Sequence, residues 1–223
     1  MKIICTAKNY GAHNAEMSSR AEETPVFFMK PDTALLRNND PFYVPDFSAQ
    51  VDYECELVVR INRVGRAIAP KFAHRYYDEV GLGIDFTARD LQREAKAAGL
   101  PWEAAKAFDR SAALSAEFIK LADLGNGWAV PSAEFASPVE LGGRTVQDLR
   151  FEMTLNGEVR QRGYTGEMIF TVDEIIAHVS RFVTLKIGDL IYTGTPAGVG
   201  RVQPGDRIAA TLEGRTLLDF AIK

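Results

Sequence analysis

Apolar and polar positions alternate in short runs along most of the chain, and a two-residue period of this kind predicts β-strands. The clearest runs lie at residues 53–61, 151–155, 190–192 and 208–212, with Gly, Asn, Asp and Pro between the runs. Asn156-Gly157 separates two strand-like runs by two residues. That pair is typical of a tight hairpin turn, so the sequence predicts a hairpin there.

Helical patterns are fewer than strand patterns. Residues 87–98 are rich in helix formers and end at Gly99, and residues 172–182 and a short stretch after Trp102 also predict helices. Helices do not separate the strands regularly, which disfavours a doubly wound nucleotide-binding sheet. The sequence therefore predicts one β-rich α+β domain over residues 1–223.

The run at residues 51–61 carries two glutamates on one side of a predicted strand. A period of two places Glu54 and Glu56 on the same face, roughly 6.5–7 Å apart, and apolar residues on the other. Two adjacent carboxylates repel unless a positive charge lies between them, and Mg²⁺, Mn²⁺ or Ca²⁺ would supply it. Taken alone, the segment favours the simpler interpretation, a solvated face of an edge strand.

A third carboxylate and two ligand-like side chains follow in residues 81–92. Asp85 lies between a strand-like run and a helix, where it is either a helix-entry acid or a further metal ligand. Arg89 and Gln92 share a helical face and suit a planar oxyanion, or else belong to the surface. Lys96, farther along, is interpreted as surface charge.

Three other motifs carry candidate chemistry. Lys106 lies between aromatic residues, which predicts either a desolvated amine or a surface lysine. His13 and Glu16 are three residues apart, so one helical turn would let the carboxylate orient the imidazole. The segment TGTPAGVG at 193–200 lacks the lysine of a phosphate loop, and it offers N–H groups and the Thr195 hydroxyl to an anion or forms a tight connection.

Composition narrows the classes of function. The chain has 223 residues, 46% of them hydrophobic, and a net charge of −4, which indicates a globular protein without a basic footprint for nucleic acid. Three histidines and two cysteines leave little for a zinc site, and Cys5 and Cys55 are expected to be buried thiols. No apolar run reaches signal-peptide or membrane-span length, so the expected compartment is the cytoplasm, with no membrane partner.

The order of these motifs closely resembles the fumarylacetoacetate hydrolase family. The matching blocks are NYxxHxxE (9–16), KP (30–31), DYExEL (52–57), GxDxTARDxQ (83–92), GLPWxxAKxFD (99–109) and TGTPAGVG (193–200). The resemblance runs from residue 9 to the C-terminus and is nearest the short branch without an additional N-terminal domain. That branch includes acylpyruvate hydrolases, oxaloacetate decarboxylases and hydroxyhepta-diene-dioate isomerases.

The resemblance implies a mixed β-sandwich roll with a few short helices, usually a homodimer, and a Mg²⁺ or Mn²⁺ cofactor. Carried over by motif, the metal ligands would be Glu54, Glu56 and Asp85. The residues that would bind substrate are Lys30, Arg89, Gln92 and Thr195, and those with catalytic roles are His13, Glu16 and Lys106.

The resulting hypothesis is a divalent-metal-dependent hydrolase that cleaves a C–C bond in 2,4-dioxo acids through a stabilised enolate. Decarboxylation of oxaloacetate and isomerisation of a 2-hydroxyhepta-2,4-diene-1,7-dioate are alternatives on the same site. A non-enzymatic, metal-dependent oxo-acid binding protein is a third possibility. The His13–Glu16 pair distinguishes an enzyme from a binding protein, because binding alone would not need it.

Overall fold

The computed structural model describes residues 1–17, 20, 22–124 and 145–223. The strands are β1 (Ile3–Ala7), β2 (Val26–Lys30), β3 (Leu35–Leu36), β4 (Val51–Tyr53), β5 (Cys55–Ile61), β6 (Tyr77–Asp85), β7 (Thr87–Ala88), β8 (Ala112–Leu114), β9 (Ile119–Lys120), β10 (Arg150–Leu155), β11 (Glu158–Tyr164), β12 (Leu190–Tyr192), β13 (Gly200–Arg201), β14 (Arg207–Leu212) and β15 (Arg215–Ala221). The α-helices are α1 (Gly11–Glu16), α2 (Pro70–Ala73), α3 (Arg89–Ala98), α4 (Glu103–Lys106) and α5 (Val172–Ser180).

The strands form three sheets. The largest has the order β2-β1-β12-β5-β6-β8-β3, with β9 beside β6, and the others have the orders β11-β10-β14-β15 and β13-β4-β7. Two pairs in the large sheet, β1 with β12 and β3 with β8, are parallel, and its remaining pairs are antiparallel. This mixed, strand-rich architecture with short helices confirms the predicted α+β class.

Local sequence signals correctly locate several elements. Antiparallel β10 and β11 are joined by Asn156 and Gly157, which have φ values of 55° and 81°, as a type I′ hairpin turn requires. Helix α5 begins after Thr171, whose hydroxyl accepts a hydrogen bond from the N–H of Glu174 in a capping box. Both features depend on neighbouring residues, so the sequence reveals them.

Helix α3 begins two residues later than predicted. Residues 87–88 form the short strand β7, which pairs with Val51 and Asp52 of β4. The helix then runs from Arg89 to Ala98 and is capped by Gly99, whose φ of 66° is typical of a glycine cap. Tertiary pairing here overrides the helical propensity of Thr87 and Ala88.

The predicted strand over residues 51–61 is divided at Glu54. Strand β4 belongs to the three-stranded sheet, whereas β5 pairs with β6 and β12 in the large one. Where the chain passes between the sheets, the carbonyl of Glu54 accepts a hydrogen bond of 2.8 Å from the N–H of Asp85. Glu54 and Glu56 are only 6% and 2% exposed, so the expectation of a solvated face is wrong.

The apolar core fills the space between the sheets and beneath α5. It contains the apolar side of β5, four residues of β6 and the inward residues of β10, β14 and β15. Phe42 and Phe86 stack there with ring centroids 3.8 Å apart. The carboxylates of β5 and β6 therefore lie on a rigid support. Among the described residues, no helix is long and apolar enough to cross a membrane.

Candidate metal centre and active-site cleft

Three buried carboxylates converge where β5 and β6 lie side by side. Glu56 belongs to β5, Asp85 ends β6, and Glu54 occupies the break before β5. The register pairs Cys55 with Ile84 and Glu56 with Gly83, which brings the ends of the two strands together. One oxygen from each carboxylate lies within 4.8 Å of the other two. The structure thus assembles the three residues that the motifs predicted as metal ligands.

Lys106, at the end of α4, contacts two members of this cluster. Its Nζ lies 2.7 Å from Glu54 Oε2 and 2.9 Å from Asp85 Oδ2. The side chain is buried, and the Phe28 ring centroid is 5.2 Å from Nζ. Burial lowers the pKa of Lys106, but the charges of Asp85 and Glu54 outweigh burial and raise it above its ordinary value. Lys106 is therefore a charged ammonium among aromatic neighbours.

Arg89, at the start of α3, is held by carboxylates of the chain. Its Nε donates to Asp52 Oδ2 at 2.8 Å, its Nη2 donates to Glu54 Oε1 at 2.6 Å, and its Nη1 donates to Gln92 Oε1 at 2.8 Å. Burial lowers the pKa of Arg89, and the charges and hydrogen bonds of Glu54 and Asp52 more than reverse this effect. Sequence reasoning did not assign Asp52 a role, although its place in DYExEL was a signal.

Lys30 supports the cluster from beneath. Its Nζ lies 2.8 Å from Asp85 Oδ1 and donates to the carbonyl and hydroxyl oxygens of Ser111 at 3.1 and 2.9 Å. Lys30 also donates to the carbonyl oxygen of Lys106. These contacts fix Asp85 and the end of α4 together. Ser111 is a second residue that sequence reasoning missed, because no motif surrounds it.

Burial raises the pKa of both Glu54 and Glu56, but the charges around the two residues act in opposite directions. Burial raises the pKa of Glu54, but Lys106 and Arg89 outweigh it and hold the pKa well below the usual range. Burial raises the pKa of Glu56 well above its ordinary value, and the negative charges of Asp85 and Glu54 add to the rise. The N–H of Gly194 donates to Glu56 Oε2 at 2.6 Å. This hydrogen bond offsets only part of the rise in the pKa of Glu56.

These residues fit a hard divalent cation. The cluster offers oxygen donors alone, which Mg²⁺ and Mn²⁺ prefer to nitrogen or sulfur. Glu54 and Asp85 are paired with Arg89, Lys106 and Lys30, whereas among the described residues no lysine or arginine lies at ion-pair distance from Glu56. A cation beside the three carboxylates would offset the negative charge of Glu56.

His13 and Glu16 form the predicted pair on one turn of helix. Both lie in α1, and His13 Nδ1 is 3.5 Å from Glu16 Oε2, which is within ion-pair distance for a protonated ring but longer than a hydrogen bond. Burial lowers the pKa of His13, although the charges of Glu54 and Glu16 act against this effect. The imidazole is therefore neutral near pH 7 and able to accept a proton.

The loop after β12 holds carboxylates of the protein through its backbone. The N–H of Gly194 donates to Glu56, and the N–H of Gly198 donates to both carboxylate oxygens of Glu16 at 3.2 and 3.1 Å. The Thr195 hydroxyl donates to the Cys55 carbonyl and accepts from Gln161 Nε2, both at 2.8 Å. The sequence predicted N–H groups for an anion, and here these anions are the chain's own side chains.

The ten predicted site residues are brought together around one cavity of about 50 Å³. Eight of them line it, namely His13, Glu54, Glu56, Asp85, Arg89, Gln92, Lys106 and Thr195. Glu16 contacts His13, and Lys30 contacts Asp85. Lys8, Phe28, Lys96 and Trp102 also line the cavity, and sequence reasoning had not placed them there.

The cysteines have no catalytic geometry. Cys5 and Cys55 are both free and buried, as predicted. Burial raises the pKa of each thiol, and nearby carboxylates raise it further. A thiolate nucleophile is therefore disfavoured at either position.

Comparison with known proteins identifies the family of this chain. The family model for fumarylacetoacetate (FAA) hydrolase, C-terminal, matches residues 2–222. The chain belongs to the fumarylacetoacetate hydrolase family. The resemblance drawn from the motifs is confirmed.

Relatives in this family carry several activities in their names. Oxaloacetate tautomerase YcgM of Escherichia coli (strain K12) is 38% identical over 216 residues, which cover 97% of this chain and 90% of that protein. Mitochondrial oxaloacetate tautomerase FAHD1 of Mus musculus is 38% identical over 221 residues, which cover 99% of this chain and 91% of that protein. A structure of fumarylpyruvate hydrolase from Pseudomonas aeruginosa with Mn²⁺ and pyruvate is 31% identical, has a TM-score of 0.85, and is matched over 100% of this chain and 89% of that one.

Proposed function

We propose that this chain is a divalent-metal-dependent enzyme that forms and protonates enolates of short 2-oxo acids, with keto–enol tautomerisation of an oxaloacetate-like acid as its reaction. The observation that carries the proposal is the position of His13, a half-buried and neutral imidazole beside Glu16 that lines the same cavity as the three carboxylates. A proton carrier facing a candidate metal centre is what this chemistry requires. The names of the tautomerase relatives support the choice of reaction.

Glu54, Glu56 and Asp85 would hold Mg²⁺ or Mn²⁺. When bound, such an ion polarises the 2-oxo group and stabilises negative charge on its oxygen. Mn²⁺ in the fumarylpyruvate hydrolase structure supports a cofactor of this kind. Either ion suits an all-oxygen ligand set.

The remaining cleft residues would position the substrate and stabilise the enolate. The Lys106 ammonium, fixed by Glu54 and Asp85, would offset the charge that develops on the 2-oxo oxygen. Gln92 Oε1 accepts from Arg89, so its NH₂ group is left to donate to a substrate carboxylate. Thr195 is committed to Cys55 and Gln161, and its proposed contribution is to shape the wall of the site.

His13 would move the proton at C3. In the enol-to-keto direction, neutral His13 would take up the proton that the enol O–H loses, directly or through solvent, and the protonated ring would then give a proton to C3. In the reverse direction, neutral His13 would remove a proton from C3 and return it to the enolate oxygen, directly or through solvent. Glu16, held by the N–H of Gly198, would orient the ring and stabilise its charged form.

Hydrolysis of a C–C bond in a 2,4-dioxo acid is the second candidate. His13 would then deprotonate a water that attacks the C4 carbonyl, and the C3–C4 electron pair would leave as an enolate that takes up a proton at C3. The structural likeness to fumarylpyruvate hydrolase favours this reaction. Decarboxylation of oxaloacetate and diene-dioate isomerisation would use the same stabilisation of negative charge on the 2-oxo oxygen.

A substrate panel tests the proposal. The ultraviolet absorbance of enol-oxaloacetate, cleavage of acetylpyruvate and release of CO₂ should be followed with Mg²⁺, with Mn²⁺ and with EDTA. We expect metal-dependent acceleration of enol-to-keto conversion, abolished by EDTA. Faster acetylpyruvate cleavage would identify the hydrolase, and metal-dependent ligand binding without turnover would identify a binding protein.

The His13→Ala variant should lower tautomerisation by about 10²–10⁴-fold, which is the usual contribution of a general acid–base. We expect metal binding to persist, because His13 is not among the clustered carboxylates. His74→Ala is the control, since His74 does not line the cavity. Wild-type turnover by His13→Ala would exclude His13 as the proton carrier.

A further inference from the structure

Lys96 extends the face of α3 that carries Arg89 and Gln92. The three positions recur at intervals of three and four residues, and all three side chains line the cavity. Arg93 is turned to another side, where its Nη1 donates to Gln50 Oε1 at 3.1 Å. The interpretation of Lys96 as ordinary surface charge therefore misses its position at the cleft.

Aromatic contacts hold Lys96 in place. Its Nζ lies 5.3 Å from the Trp102 ring centroid, and the Trp102 ring lies edge-on to Phe28 with centroids 6.1 Å apart. A cation above a tryptophan face is attracted by the ring's electrons. Lys96 itself is solvent-exposed, so its ammonium stays accessible at the mouth of the cavity.

The charge of Lys96 is compensated less than that of the neighbouring cations. Arg89 faces Asp52 and Glu54, Lys106 faces Glu54 and Asp85, and Lys8 pairs with Glu22. In the part of the chain that the structure describes, Lys96 has no carboxylate at ion-pair distance. Partial burial of the Lys96 side chain lowers its pKa, and the positive charges of Arg89 and Lys106 lower it further, although the charge of Glu54 acts against them. An anionic group of a ligand would offset this repulsion.

We propose that Lys96 binds the distal carboxylate of a dicarboxylic 2-oxo acid and so selects dicarboxylates over monocarboxylates. This inference rests on the proposed function, which places the 2-oxo acid end of the substrate at the carboxylate cluster. Lys96 stands at the other end of the α3 face from Arg89, where the far end of a short substrate would lie. A lysine ammonium acts as a point charge, which suits a single carboxylate.

An adjoining apolar groove favours the opposite preference, for a ligand without a distal carboxylate. Phe28 and Trp102 line this groove together with Leu100 and Pro101, and the groove would suit an apolar acyl tail. The experiment must therefore compare a ligand that has a distal carboxylate with a ligand that lacks one. Two unreactive four-carbon ligands that differ only in this carboxylate allow the comparison.

Titration calorimetry should compare malate with 2-hydroxybutanoate on the Mg²⁺-loaded protein. We expect the wild type to bind malate about five- to tenfold more tightly, the effect of one charge-assisted contact at a partly exposed site. In Lys96→Gln the ratio of the two affinities should approach one, and in Lys96→Glu it should reverse. Arg93→Gln, a charge loss on the same helix, should keep the wild-type ratio.

The outcomes separate this inference from the proposed function. A wild-type ratio that survives in Lys96→Gln would overturn the role of Lys96, and so would a preference for 2-hydroxybutanoate. Because binding needs no turnover, absence of tautomerase activity would count against the proposed function alone. Tautomerase activity with equal affinity for the two ligands would overturn only the inference about Lys96.

Discussion

At the scale of single residues, the surroundings shift the pKa values of three carboxylates of this protein in different ways. Glu54 is held ionised by Lys106 and Arg89, and Glu56 is pushed toward its neutral form. Far from the cleft, burial raises the pKa of Asp173 in α5 to about 6, and the hydrogen bond from the Tyr77 hydroxyl offsets only part of the rise. Identical side-chain chemistry thus produces different behaviour because the surroundings differ.

Asp173 should make folding stability depend on pH. Its folded-state pKa of about 6 lies above the ordinary 3.8, so its favourable contribution is complete below about pH 4 and is lost as the pH rises through 6. Asp173→Asn should therefore raise the free energy of unfolding at pH 8 by roughly 1–2 kcal/mol, a value discounted for partial exposure, and should have little effect at pH 4. Urea unfolding at both pH values measures this difference.

Tyr77→Phe provides a contrast of opposite sign. It removes the hydrogen bond that partly stabilises the ionised Asp173, so the loss of stability between pH 4 and pH 8 should become larger. An Asp173→Asn variant that is equally stabilised at pH 4 and pH 8 would contradict the assignment.

At the scale of elements, the loop between β12 and β13 connects the proposed metal-binding and proton-transfer parts of the site. Its N–H groups contact Glu56 at one end and Glu16 at the other. Gly198 has a φ of +97°, and a Cβ there would lie 2.1 Å from the carbonyl oxygen of Arg160. Only glycine fits, because both the dihedral and the space exclude a side chain.

Gly198→Ala should displace the loop and lower activity by about tenfold or more through loss of the N–H that holds Glu16. Gly205→Ala is the matched control, since Gly205 has a φ of +101° but open space around its Cβ position. Both variants should lose about 1 kcal/mol of stability from backbone strain. Measuring kcat/KM together with Tm for both variants separates loss of the loop contact from loss of stability. Equal inactivation by the two changes would refute the role of the loop.

The elements that the sequence predicted well are those with local causes. The hairpin at Asn156-Gly157 and the start of α5 at Thr171 depend on residues within a few positions of each other. The break at Glu54 and the late start of α3 depend on pairing between β4 and β7. No neighbouring residue encodes that pairing, so pattern analysis extended both elements too far.

At the scale of the whole molecule, folding concentrates like charges at a cost that a bound cation would reduce. The candidate ligands come from the break before β5, from β5 itself and from the end of β6, while their counter-charges come from β2, α3 and α4. Metal binding should therefore couple to global stability. The predicted homodimer stays a prediction, which sedimentation analysis would test.

Mg²⁺ or Mn²⁺ should raise the Tm of the wild type, with stabilisation of about 2.7 kcal/mol at a concentration of 100 Kd. In Glu56→Gln this gain should be largely lost, because one of the three clustered carboxylates is removed. In EDTA the same variant should be more stable than the wild type, since burial and two negative neighbours disfavour the charge of Glu56. Thermal melts of both proteins, with metal and with EDTA, test both expectations. A rise in Tm on metal addition that is as large in the variant as in the wild type would exclude Glu56 as a ligand.

The sequence by itself determined the class of fold, the family and the ten candidate residues, because these follow from short-range patterns and from ordered motifs. Only the tertiary structure decided how those residues meet. In the folded chain, Arg89 contacts Asp52, Lys30 contacts Ser111, and Thr195 contacts Gln161. Lys96 lies at the mouth of the cavity. These relations join residues far apart in the chain, and strand pairing, burial and charge fix them only once the sheets have formed.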